Sequence, residues 1–181
     1  MIEPAEPGPT IPLSASSAVV LGLLATGGPQ TTYDIMGYIK VSIGYFWPFP
    51  MSQMYAESRR LEAAGYIVGE QEPAGRRRRR LSITDAGRAA LTEWLRTPVD
   101  RQTEIRDIGL LKLFFVDAEP TLSPSQLAAE QVRAHTERLT EYRAIAATFA
   151  GDRPLAERTV ELGIAFETVA IEFWQNVEHD P

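Results

Sequence analysis

Five consecutive arginines at positions 76–80 form the densest cluster of charge in the sequence. Adjacent cations repel one another and are costly to hold together unless a polyanion meets them. The run lies in a stretch, 66–83, whose two strand-like segments flank residues typical of a hairpin turn. This setting favours phosphate contact over a solvated charge run or a localisation signal. The arginines predicted to meet phosphates are Arg76, Arg77, Arg78 and Arg80.

A predicted helix at about 51–64 carries the second group of candidate binding residues. Ser52 and Gln53 stand at its N-terminal end, where a recognition helix contacts base edges in the major groove. A Gln amide can pair bidentately with adenine, and a Ser hydroxyl is adaptable. Taken alone, this would be an ordinary amphipathic helix with a polar outer face, but the nearby arginine run favours DNA contact. The other residues predicted to contact DNA are Tyr33, Tyr55, Arg59 and Arg60.

Residues that could support catalysis or hold a metal are sparse. The two histidines, His135 and His179, stand far apart and lack the spacing of metal ligands. No GxGxxG, P-loop or GxSxG pattern is present, and the carboxylates are scattered over predicted outer faces of helices. The sequence therefore predicts no enzyme activity, no cofactor and no metal site. His135 is predicted to be a packed or pH-sensitive interface residue.

The charge is distributed unevenly along the chain. The whole chain has a net charge of −6, but residues 13–98 carry a net charge of +3 and residues 99–181 a net charge of −7. A locally basic half on an acidic protein is compatible with one face that binds a polyanion. The chain has no cysteine, no apolar run of the ~18 residues that a membrane span needs, and no secretory pattern at its start. We therefore expect a cytoplasmic protein without a membrane partner.

The order of predicted elements indicates two domains after a mobile tail at 1–12. Residues 13–98 give helix, helix, aromatic turn, helix, hairpin and helix, which is the order of a winged helix-turn-helix. The two prolines of the turn, Pro48 and Pro50, prevent a helix from continuing through it. Residues 99–181 give helices only. The predicted fold is mainly α, with a small β-hairpin wing and a C-terminal helical, coiled-coil-like dimerisation domain.

Apolar residues in the C-terminal half repeat at helical heptad spacing along two long predicted helices. The first helix begins at Ser123, and its seam runs from Ala128 to Phe149; the second begins at about Pro154. An exposed aromatic seam would form a patch larger than soluble monomers tolerate, so we predict a two-fold dimer built by residues 103–178. The predicted interface residues are Leu111, Phe115, Val132, Leu139, Tyr142, Phe149, Leu162, Phe166, Val169, Phe173 and Trp174.

At several positions the sequence resembles the PadR family of bacterial regulators. The resemblance covers about residues 13–178, and in the second half it is to the family's longer subclass. Two departures are Thr32 where the family often has Gly, and Ala56 where it often has Pro. The matching segments are Leu21-Gly22-Leu23-Leu24, Thr32-Tyr33-Asp34-Ile35, Ser52-Gln53-Met54-Tyr55, Arg60-Leu61-Glu62, Gly65-Tyr66-Ile67, Leu81-Ser82-Ile83-Thr84-Asp85-Ala86-Gly87 and 106–115.

The resemblance implies a homodimeric transcriptional repressor that binds double-stranded DNA at a pseudo-palindromic operator. It also implies that the C-terminal helices are swapped around the partner. Some members of the family release DNA when they bind phenolic acids, drugs or other planar aromatic molecules. A small aromatic effector is therefore an expected partner of this chain.

Two other classes of function remain open at the level of sequence. The first is a winged-helix protein–protein adaptor that has lost DNA binding, although an adaptor would not need the arginine cluster at 76–80. The second is a metabolic enzyme with a regulator-like fold, which would require a pair of catalytic side chains that the sequence does not show.

Overall fold

The computed structural model describes residues 11–72, 78–100, 103–119, 121–151 and 154–179. These residues form two compact units, with the division between residues 101 and 102. The first unit combines helices with a three-stranded sheet, and the regular structure described in the second unit is helical. The predicted fold class, mainly α with a small β wing and a C-terminal helical domain, is confirmed. Residues 1–10 of the predicted tail lie outside the described residues.

Polar caps begin the first helices, as the sequence predicted. Helix α1, Ala15–Gly27, starts after Ser14, whose hydroxyl accepts a hydrogen bond from the backbone N–H of Ser17. Strand β1, Gln30–Thr31, follows directly and was not predicted, because two residues are too short to show a period. Helix α2, Thr32–Lys40, is capped by the Thr31 hydroxyl, although the sequence left both threonines open as the cap.

The sequence predicts a second helix that starts after Thr31 or Thr32 and runs through about Ile43, and helix α2 is shorter than this. After Lys40 the chain turns into a short 3-10 helix, Ile43–Tyr45. At Gly44 a Cβ atom would lie 2.6 Å from the carbonyl oxygen of Ile39, so this tight turn needs a residue without a side chain. Helix α3, Met51–Ala63, then runs as predicted and ends before Gly65, which has a φ of +72°.

The sheet joins both ends of the helix-turn-helix. Strands β2, Ile67–Gln71, and β3, Arg79–Ile83, form the predicted antiparallel hairpin, and β1 pairs with the other edge of β3, giving the order β1-β3-β2. Helix α4, Asp85–Arg96, follows the sheet and is capped by Thr84, as predicted. The sheet therefore holds the start of α2 beside the hairpin.

The core of the first unit is built from the inward faces of α1 to α4 and the sheet. Long apolar side chains at its centre are fully buried, among them those of Leu21, Leu24 and Leu61. Leu91 contributes the buried contact of α4, whereas Trp94 and Leu95 are exposed. The core does not use most of the polar side chains of α3 and of the hairpin, which stay at the surface.

The second unit contains three helices among its described residues. Helix α5, Ile108–Phe114, starts later than its predicted beginning at residue 103, because Asp107 caps it by accepting from the N–H of Leu110. After a short 3-10 helix come α6, Pro124–Ala146, and α7, Pro154–His179. None of the described helices is both long enough and apolar enough to cross a membrane.

Helices α6 and α7 pack closely along their length. The Tyr142 ring on α6 reaches within 2.6 Å of the point where Gly163 on α7 would carry a Cβ atom. A hydrogen bond of 2.6 Å joins His135 Nδ1 to Glu167 Oε2 across the two helices, and both side chains are largely buried. Trp174 is 1% exposed and packs against the start of α6.

Acid should weaken the winged-helix unit through Glu62 on α3. An ion pair with Arg79 lowers the pKa of Glu62 below its ordinary value of 4.5. Because the folded pKa lies below the unfolded one, this stabilisation is complete above about pH 4.5 and is lost as the pH falls through the folded pKa. Glu62→Gln should lower the free energy of unfolding at pH 7 by less than about 1 kcal/mol, since the pair is largely solvated.

Urea unfolding between pH 7 and pH 3 tests this expectation. In Glu62→Gln, the free energy of unfolding should fall less steeply between pH 7 and pH 3 than in the wild type. Glu93→Gln on α4 is the matched control, because the Glu93 side chain makes no ion pair among the described residues. Parallel profiles for the wild type and Glu62→Gln would show that the pair contributes nothing.

Candidate nucleic-acid interface

Helix α3 has three distinct faces, and each meets a different environment. Its inward face packs into the core through Met54, Ser58 and Leu61. Ser58 donates its hydroxyl hydrogen to the carbonyl oxygen of Met54, so its burial leaves no unsatisfied polar atom. A buried inward face fixes which of the remaining side chains can reach a ligand.

The outward face of α3 carries Ser52, Tyr55 and Arg59. These positions follow helical spacing on one side of the helix, and all three side chains are exposed. None of the three makes a side-chain hydrogen bond or ion pair with another residue in the described part of the chain. Their polar groups are therefore accessible, and their contact with base edges and phosphates stays a prediction.

The third face of α3 is turned toward α1. Gln53 Nε2 donates a hydrogen bond of 2.6 Å to Ser16 Oγ at the start of α1. Arg60 donates to Glu57 Oε1 through Nε at 3.1 Å and through Nη2 at 2.6 Å, and also to Ser17 Oγ. Both Gln53 and Arg60 were predicted as DNA contacts, but here their polar groups are engaged within the chain.

Arg79 and Arg80 begin strand β3, and Arg78 directly precedes it. Arg78 and Arg80 are exposed. Arg80 donates to the carbonyl oxygen of Pro29 and lies 3.8 Å from Glu72, so its charge is partly compensated. Arg79, which was not predicted as a site residue, pairs with Glu62 on α3 and fastens the strand to the helix. Arg76 and Arg77 lie outside the described residues.

The first turn of α2 lies beside the arginine strand. Thr31, the cap of α2, is the direct cross-strand neighbour of Arg80. The Thr31 side chain and backbone lower the pKa of Asp34 most, and the nearby positive charges of Arg78 and Arg80 lower it further. Tyr33 on the same turn is 78% exposed, so its hydroxyl is accessible. The start of α2 and the wing thus form one continuous surface.

This surface combines a polar helix face with a cationic strand. The α3 side chains can offer hydrogen-bond donors and acceptors to bases, and the arginines can neutralise phosphates. Among the described residues, no group of three or more His, Cys, Asp or Glu side chains could hold a metal ion. The chemistry available here is recognition of a polyanion through charge and hydrogen bonding.

The residues predicted at a dimer interface fall into two groups. Leu139, Tyr142 and Trp174 are buried inside a single chain, and Val132 packs against the same cluster as Trp174. Leu139, Tyr142 and Trp174 are thus already buried within one chain and Val132 partly so, and an interface role for these four residues stays a prediction. The seam of α6 was identified correctly as a packing surface, but the surface that it meets is α7 of the same chain.

The second group remains exposed. Along α7, Leu162, Phe166, Val169 and Phe173 follow 4-3-4 spacing on one side of the helix, and all four are exposed, with Leu162 at 72%. Phe149 is also exposed, as are Leu111 and Phe115 at α5. Helix α7 therefore has two apolar stripes, one buried against α6 and one without a covering element among the described residues.

Both units match known protein families. Residues 20–93 match the transcriptional regulator PadR-like family, and residues 105–179 match the family described as virulence activator alpha, C-terminal. The negative transcriptional regulator PadR of Bacillus subtilis (strain 168) is 28% identical over 124 residues, which make up 67% of this chain and 68% of that protein.

Solved structures resemble the chain over most of its length. Bacillus subtilis PadR in complex with operator DNA gives a TM-score of 0.80 at 22% identity, covering 92% of this chain and 98% of the other. The same regulator in complex with p-coumaric acid gives 0.74 at 22%, covering 90% and 96%. The Vibrio cholerae virulence activator AphA gives 0.71 at 26%, covering 92% and 97%. This chain is therefore similar to PadR-like transcriptional regulators in its N-terminal unit, and it has the fold of a winged-helix protein with C-terminal helices.

Proposed function

We propose that this protein is a sequence-specific repressor that binds a pseudo-palindromic operator as a homodimer. The observation that carries the proposal is the outward face of α3 with Ser52, Tyr55 and Arg59, which has no intramolecular partners in the described residues. The exposed cations of the wing, Arg78 and Arg80, supply the charge that phosphate contact requires. The repressor role is supported by the relative named a negative transcriptional regulator.

The proposed dimer is formed through the uncovered stripe of α7. Its regular spacing, 162, 166, 169 and 173, is that of a helix seam which packs against another helix. A two-fold dimer buries the same stripe on both chains. Such a dimer would present two copies of α3 to successive major grooves, about 34 Å apart. Phe149, Leu111 and Phe115 are proposed to extend this interface, because they too are exposed.

We also propose that a small planar aromatic effector releases the protein from DNA. The support is that a structural relative has been solved in complex with p-coumaric acid. Adding p-coumaric acid to the operator-binding assay described below tests this proposal. An effector should lower the affinity for the operator, whereas a compound that does not bind the protein should leave it unchanged. A cytoplasmic location is part of this proposal, and it is supported by the DNA-binding regulators among the relatives.

Operator binding should depend steeply on salt. Arg59, Arg78 and Arg80 provide three candidate phosphate contacts in each chain, or six in a dimer. Each neutralised phosphate contributes about −0.9 to the slope of log K against log salt, so we expect a slope of about −5. The operator is obtained by selecting bound sequences from random duplex DNA, and its affinity is then measured by fluorescence anisotropy between about 50 and 300 mM salt.

The same two measurements separate repressor from adaptor. A DNA-binding dimer should enrich an inverted repeat whose half-sites are centred about 10 base pairs apart. A winged-helix adaptor would enrich no sequence, and its salt titration would be flat. Either of these results would overturn the proposed function.

A further inference from the structure

We infer that Gln53 and Arg60 position the recognition helix against α1 and do not contact DNA, and that Ser52, Tyr55 and Arg59 alone form the reading face of α3. This inference rests on the proposed function and assigns different roles to neighbouring residues of one helix. Arg59 and Arg60 are adjacent and chemically identical, so residue type does not distinguish them. The distinction comes from what each side chain meets in the folded chain.

The environment of Glu57 is what holds Arg60 in place. Only 13% of the Glu57 side-chain surface is exposed, and a carboxylate so far removed from water needs a charged partner. Arg60 is that partner and approaches the same carboxylate oxygen with two of its nitrogens. Moving Arg60 to a phosphate would leave Glu57 with only the Ser17 hydroxyl, which donates at 2.6 Å.

Ser17 connects this pair to the first turn of α1. Its side chain is completely buried, and its oxygen also accepts the backbone N–H of Ser14 at 3.0 Å. The Arg60 guanidinium reaches further, to the carbonyl oxygen of Pro12 at 3.4 Å. One guanidinium thus links the recognition helix to α1 and to the segment before α1, so its removal loosens all three.

Gln53 makes a second link one turn from the N-terminus of α3. Its amide meets Ser16, which is buried and adjacent to Ser17. Positions 53, 57 and 60 share one side of α3, whereas 52, 55 and 59 lie on the opposite outward side. Two links spaced along α3 fix both its tilt and its rotation, which determine where the outward residues meet the bases.

Three variants distinguish positioning from DNA contact, each measured on the selected operator across a salt series. Arg59→Ala should make the salt slope shallower by about 0.9 per chain, because a phosphate contact is lost. Arg60→Ala should lower affinity about fivefold or more at an unchanged slope. Arg60→Lys should not restore affinity, because an ammonium cannot reproduce the two-nitrogen geometry, whereas it would serve well as a phosphate contact.

Glu57→Gln gives a second test, because phosphate contact by Arg60 and positioning by Arg60 predict opposite changes in DNA affinity. If Arg60 contacted phosphate, removing the neighbouring negative charge would free it and strengthen DNA binding. If Arg60 positions α3, the same change weakens binding at an unchanged slope. Thermal unfolding identifies any variant that fails to fold, and Arg60→Lys then carries the test, since it keeps the charge and most of the volume.

The role of Gln53 is tested through its partner. Gln53→Ala, Ser16→Ala and the double variant should lose similar affinity, because all three remove the same hydrogen bond. Sequences selected by Gln53→Ala should match those of the wild type. A shallower slope for Arg60→Ala, tighter binding by Glu57→Gln or a changed base preference for Gln53→Ala would overturn the inference. Absence of DNA binding by the wild type would instead refute the proposed function.

Discussion

Replacing Phe166 with glutamate should convert the proposed dimer into a monomer. Phe166 lies at the middle of the uncovered α7 stripe, between Leu162 and Phe173, and is exposed. Fully burying such a side chain contributes about 1.5–3 kcal/mol, and a two-fold interface contains the residue twice. A loss of about 3–6 kcal/mol would raise the dimer dissociation constant by roughly 10²- to 10⁴-fold.

Light scattering at micromolar concentration gives the oligomeric state, and operator affinity should fall with it. Thr168→Glu is the matched control, because it adds the same carboxylate to an exposed position on the polar side of α7. The control should remain dimeric. A wild type that is monomeric, or a Phe166→Glu variant that is still a dimer, would show that the stripe has another function.

Gly87→Ala should lower the free energy of unfolding of the winged-helix unit. Gly87 occupies the first turn of α4, where its N–H donates to the Thr84 cap. An added Cβ atom would collide with the carbonyl oxygen of Tyr66, which accepts the backbone N–H of Thr84. Because backbone atoms cannot rotate away, the join between sheet and α4 must shift, and overpacking of this kind costs about 1–3 kcal/mol or more.

Gly22→Ala on α1 is the natural control for this substitution. A Cβ atom at Gly22 would meet no atom within 4 Å. Alanine is a better helix former than glycine by about 1 kcal/mol, so this variant should be as stable as the wild type or slightly more stable. Urea unfolding followed by circular dichroism should therefore show a lower free energy of unfolding for Gly87→Ala and an equal or higher one for Gly22→Ala. Equal effects would rule out the close approach at Gly87 as the cause.

Local chemistry alone was sufficient to place most of the elements. The helix start at Ser123 was predicted correctly, because the Ser123 side chain bonds to a backbone N–H only three residues away, and Ser14 and Thr84 cap their helices in the same way. The hairpin of β2 and β3 was also predicted, since turn residues separate two strand-like runs. Strand β1 was missed, because its two residues form a strand only by pairing with β3.

Tertiary structure decided which polar side chains of α3 bond within the chain. Helical spacing shows that 53, 57 and 60 share one side of α3, but it cannot show that this side meets α1. A glutamine or an arginine is equally suited to an internal hydrogen bond and to a base or phosphate. The choice depends on whether a partner such as Ser16 or Glu57 lies within reach, and the first of these is 37 residues away in sequence.

The same limit applies to the apolar residues of the second unit. The sequence determined that α6 and α7 are long helices with heptad-spaced apolar positions, because that spacing depends only on the pitch of the helix. It did not determine which positions face a neighbour in the same chain. Helix α7 carries two apolar stripes, and only packing selects the one that contains Trp174 for burial against α6 and leaves the one that contains Phe166 exposed. Hydrophobic burial has no direction of its own, so the partner of each stripe is fixed by the geometry of the whole fold.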